Sequence, residues 1–105
     1  MEGKEYICKH DPDGNCLLIS FSGRMDAEFI DNEMTDILGK VKEHKGDVKM
    51  DLAAVDYVSS SFLRLCVAIA RDEHDDQKRK VSVTRLSPMV KKVFKIAGFD
   101  SMIAD

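Results

Sequence analysis

The spacing of apolar residues changes period several times along this 105-residue chain, and that change restricts the fold more than any other feature. Leu17, Ile19 and Phe21 recur at every second position, the repeat of a strand with one face on a core. Phe29, Ile30, Met34, Ile37, Leu38 and Val41 then follow a helical repeat over residues 26 to 43, with Asp26 placed to cap the helix or to complement its positive end. Past Gly46, Val48, Met50 and Leu52 return to a period of two between Asp47, Lys49 and Asp51. From Ser60 to about Asp72 the segment is apolar round most of its circumference, which predicts the most buried helix of the set. Val81 and Val83 mark another strand. Ser87-Pro88 opens a last helix with a cap followed by proline at the first helical position, and Met89, Val90, Val93, Phe94 and Ala97 form its inner stripe.

Ahead of these elements, residues 4 to 9 and 15 to 21 read as a hairpin across DPDGN, where Asp13-Gly14 favours positive backbone angles. The polar run RDEHDDQKRK brings the chain back to solvent after the buried helix. Gly98 ends the last helix, and Phe99, Met102 and Ile103 pack as a final strand or turn. The implied class is α/β: an open mixed sheet of four to five strands with helices mainly covering one face. One covered face follows from the alternation, because strands buried on both faces read as unbroken apolar runs.

At 44% hydrophobic and 33% charged, residues 1–105 suffice for a single domain with one core. Sixteen basic and nineteen acidic residues give a net charge of -3 without a long block of either sign, which disfavours DNA or RNA as a partner. The start, MEGKEYICKHD, lacks the apolar core of a signal peptide, and eighteen apolar residues never run together, so membrane insertion is not expected and a cytoplasmic location is. Cys8, Cys16 and Cys66 lack metal-ligand spacing and read as buried, reduced thiols. His10, His44 and His74 are scattered, no catalytic pair is indicated, and the six glycines are isolated. Neither a cofactor nor an intrinsic enzymatic activity is expected.

One stretch asks for more than folding. In DYVSSSFLRLC, residues 56 to 66, three serines stand where a strand hands over to the buried helix. One hydroxyl is enough to cap a helix. The surrounding MDLAAVDYVSSSFLRLCVAIAR, residues 50 to 71, resembles the central signature of STAS domains, the family of bacterial anti-sigma-factor antagonists. Asp51-Leu52, Val55, Tyr57-Val58, Ser59-Ser60, Leu63 and Arg64 match that signature in register. GRMDA at 23 to 27 is similar to the family's Gly-Arg-Leu-Asp after its second strand, and LSPMVKKVFKIAGFDSMI at 86 to 103 to its last helix and tail.

The resemblance implies a STAS-like fold and a regulatory adaptor that binds a partner serine kinase of the anti-sigma type and is reversed by a phosphatase. It places the phosphoacceptor on Ser60, with Ser59 and Ser61 as alternatives. A partner-binding surface is expected around that position on Asp26, which otherwise serves as a helix cap, Ser59, Ser61, Phe62 and Arg64, whose alternative is simple solvation. A phosphate there would add about -1.5 to -2 charges beside helix N–H groups that tolerate an anion. Two positions depart from the family pattern. Phe62 stands where glycine is usual, either filling a core gap or anchoring a partner, and Ser59 replaces the carboxylate of the best-known versions. A second reading is a STAS module, never phosphorylated, docked permanently on a transporter ATPase or a signalling scaffold. Lys91, Lys92 and Lys95 form a basic, solvated face on the last helix.

Overall fold

In the computed structural model, which describes residues 5–11, 16–44, 46–71 and 80–104, the elements run β1 (Glu5–Asp11), β2 (Cys16–Met25), α1 (Ala27–Glu43), β3 (Asp47–Val58), α2 (Ser60–Arg71), β4 (Val81–Thr84) and α3 (Pro88–Ile96), followed by a 3₁₀ turn at Asp100–Met102. The sheet order is β1-β2-β3-β4. Strand β1 is antiparallel to β2, as a hairpin requires, whereas β2, β3 and β4 are parallel and joined by crossover helices. The expected turn at DPDGN has its centre outside the described residues, and the polar run with His74 lies outside them apart from its first and last residues. The final apolar tail contributes a single parallel bridge, Ile103 to Val83, so a fifth strand is present only as one residue.

Apolar residues of β2 and β3 alternate onto one face, where Ile19, Met50 and Leu52 are fully buried beneath α1, α2 and α3. The other face carries the register mates Ile7 and Ser20, and Lys49 and Ser82, among others. Helix α1 follows the predicted stripe: Ile30, Ile37 and Val41 are buried, with Phe29, Met34 and Leu38 half-buried beside them. Asp26 is its N-cap, the carboxylate accepting the Phe29 N–H at 3.1 Å.

Helix α3 corrects part of its predicted stripe. Val90 and Phe94 are buried, but Met89 is 68% exposed and Ala97 is exposed. Met89 lies about 100° around the helix from Val90, which turns it away from the sheet. Ala97 is the C-cap, and beyond it Gly98, at φ +84, reverses the chain so that the Phe99 ring meets Phe94 at 6.3 Å.

Candidate functional site

The route into the serine turn is set by β3, which carries two bulges against β2. Ser20 opposes Asp51 while Ser22 opposes Ala54, and Gly23 opposes Val55 while Arg24 opposes Tyr57, so β3 gains one residue each time. The period of two therefore ends at Leu52, and the next buried positions, Val55 and Val58, come at steps of three. At the first bulge the Asp51 carboxylate accepts the Ala53 N–H at 2.9 Å. It also receives Arg85 through two bonds, Nη2 at 2.7 Å and Nε at 3.3 Å. Arg85 sits in the left-handed region at φ +60 and stands just past β4. Its guanidinium holds the Asp51 carboxyl below the usual carboxylate range. The aspartate of the sequence signature thus fixes the bulge and the segment leading into α3.

The three serines behave differently. Ser59 donates its N–H to the Met25 carbonyl at 3.0 Å, tying the start of α2 to the end of β2, and its hydroxyl accepts the Phe62 N–H at 3.3 Å as a helix cap does. Ser61 is 2% exposed, and its hydroxyl accepts Arg64 Nη2 at 3.0 Å. Ser60 is exposed, and among the described residues none hydrogen-bonds its hydroxyl. It opens α2, whose first turn contains no acidic residue. Two hydroxyls are committed to local structure and the middle one faces solvent.

Of the other residues expected at a partner surface, Asp26 and Arg64 lie beside this turn. Asp26 follows the carbonyl that accepts the Ser59 N–H, and Arg64 is exposed one turn along α2. Phe62 takes the core role of its two expected ones, and its place in the partner surface is corrected: it is fully buried, edge-on to Phe21 at 5.1 Å and to Phe94 at 6.5 Å, and offers no side-chain surface to a partner. Ser59 and Ser61 are likewise buried and shape the surface without forming it.

Sequence reasoning missed an exposed group at the same end. The Arg24 guanidinium lies 3.9 Å above the Tyr57 ring, and Tyr57 and Met89 are 37% and 68% exposed. With Gly23 and Asp56 they line an open depression of about 470 Å³. Tyr57 had no periodic signal, because the second bulge decides which way it faces.

Elsewhere, His10 and His44, far apart in sequence, meet edge-to-face at 5.2 Å. Only Cys66 is fully buried, which pushes its thiol up to about 12, while Cys8 and Cys16 are half-buried, in part against the reading of three buried thiols. Among the described residues no group of three His, Cys, Asp or Glu side chains is placed to hold a metal. No helix among them is long and apolar enough to cross a membrane. Lys92 and Lys95 are exposed on α3, with Lys91 half-buried.

An open mixed four-stranded sheet with three helices on one face is the architecture of a STAS domain. The family model described as "Mlab, STAS domain" matches residues 8–104, and the chain belongs to the STAS domain family. BtrV of Bordetella bronchiseptica, whose name marks it as a candidate anti-sigma factor antagonist, is 28% identical over 86 residues, covering 82% of this chain and 73% of BtrV. A STAS domain protein from Planctomyces limnophilus shares the fold at a TM-score of 0.80 and 20% identity, over 93% of this chain and 85% of that one. The anti-sigma factor antagonist SpoIIAA shares it in its unphosphorylated form, at a TM-score of 0.75 and 17% identity over 100% of this chain and 87% of that one. The phosphorylated form of Bacillus SpoIIAA does so at 0.71 and 16%, over 96% and 90%.

Proposed function

We propose that this chain is a cytoplasmic regulatory adaptor that docks on a serine kinase of the anti-sigma type when unmodified, and lets go when Ser60 carries a phosphate that a phosphatase later removes. The observation that carries the reading is the division of labour among the serines: Ser59 and Ser61 are buried and hydrogen-bonded, and Ser60 is exposed at the helix start. Transfer of a phosphoryl group from a nucleoside triphosphate to Oγ of Ser60, with loss of the hydroxyl proton, needs that exposure. The product charge sits beside the positive end of α2, whose first turn holds no competing carboxylate. Its main consequence is outward. An added dianion next to Arg64 and near the Arg24–Tyr57 pair changes which partner face fits.

Wild type, Ser60→Ala and Ser60→Asp, each used as bait in a lysate of the native host, test the switch. Ser60→Ala retains the kinase and Ser60→Asp loses it; identical capture by all three removes the switch. Intact-mass measurement gives a second reading its chance, that of a module docked permanently on a transporter ATPase or a scaffold. That reading is favoured by one feature, the capping hydroxyl of Ser59 where the best-known versions carry a carboxylate. Its mark is the absence of a phosphorylated species in every growth condition.

A further inference from the structure

Strand β1 lies at one end of the sheet order and, among the described residues, pairs on one side only, with β2. A strand edge of this kind offers its backbone N–H and C=O groups as a template for another strand. Its open-face residues are Glu5, Ile7, Lys9 and Asp11, opposite Ser22, Ser20, Leu18 and Cys16 of β2, and all four are exposed, Ile7 at 50%. The first three are self-complementary in order. Glu5 and Lys9 are opposite in charge, share a face and stand at equal distances either side of Ile7.

We propose that β1 pairs antiparallel with β1 of a second copy of this chain, about a two-fold axis at Ile7, joining the two sheets edge to edge. In that register Glu5 of each copy stands directly opposite Lys9 of the other, so one contact forms two cross-strand ion pairs, and the two Ile7 side chains meet between them. On the helix-covered face the same axis sets Tyr6 opposite Cys8, both half-buried in the single chain. The register holds for either set of outward-pointing backbone groups, because residues equidistant from Ile7 are matched in both cases. A lysine on an edge strand ordinarily discourages pairing. Here the symmetric partner supplies the carboxylate that offsets it, and an unrelated strand does not, which favours a second copy over another protein. The contact is one short strand per copy, so the dimer is a weak one. It uses no residue of the serine turn and stands apart from the regulatory reading.

Sedimentation velocity over a concentration series tests it on the full chain. Wild type dimerises with rising concentration, while Glu5→Lys alone and Lys9→Glu alone each weaken self-association by about tenfold, since like charges then face each other twice. An equimolar mixture of the two single variants recovers association, because each supplies the charge the other lacks, and so does the double exchange Glu5→Lys/Lys9→Glu. Recovery also shows that the variants are folded. A wild type that stays monomeric throughout, a dimer indifferent to the single changes, or single variants whose mixture stays as weak as its components would each overturn the pairing.

Discussion

Ser60 and Ser61 are neighbours in sequence, yet one faces solvent and the other is 2% exposed with its hydroxyl on Arg64. A helix turns each successive side chain by about 100°, so adjacent identical residues meet different surroundings. Asp51 shows the same local logic from the inside. Its carboxylate serves both the bulge N–H of Ala53 and the guanidinium of Arg85, a residue in the left-handed region. Because the folded-state value is depressed, the carboxylate contributes stability that is fully present above its unfolded value and is lost as pH falls through the folded one. Asp51→Asn is expected to cost about 1 kcal/mol near neutrality, a modest figure because Arg85 is 67% exposed. Urea unfolding of the two proteins should converge as the pH falls below the ordinary carboxylate value of about 3.9. A gap that persists in strong acid would show that the ion pair is not its source.

At the scale of elements, the handover from β3 to α2 combines two devices, bulges that curl the strand and a cap that starts the helix. Only the second was legible, because Ser before an apolar helical run is a local signal whereas a bulge depends on the register against β2. The stripe of α1 was read correctly, since six residues at helical spacing define a direction without reference to neighbours. The first turn of α3 was not, for the run Met89-Val90 contains two apolar residues of which the sheet accepts one. Capping at Ser59 and the proposed modification at Ser60 also separate by mutation. Ser59→Ala should cost about 1 kcal/mol of folding stability, whereas Ser60→Ala should stay within about 0.5 kcal/mol of wild type. Chemical denaturation distinguishes them, and equal losses would place the cap elsewhere.

For the whole molecule, the packed core and the exposed serine are separate. The core runs from β2 through Phe21, Phe62 and Phe94 to α3, and no part of it includes Ser60. Phosphate on Ser60, or Ser60→Asp in its place, should therefore leave a single unfolding transition within about 1 kcal/mol of the unmodified chain. Calorimetry that found a partly unfolded form of either would mean that negative charge at this position melts α2. The match to SpoIIAA with and without its phosphate is a match of fold in both forms. The sequence by itself determined the order and type of the elements, the covered face of the sheet and the turn where the serines fall, because period and capping chemistry are properties of neighbours along the chain. Only the tertiary structure decided which serine is exposed, that Phe62 belongs to the core, and that Tyr57, Arg24 and Met89 gather beside the turn. Those outcomes depend on strand register and on contacts between residues far apart in sequence, where no local pattern reaches.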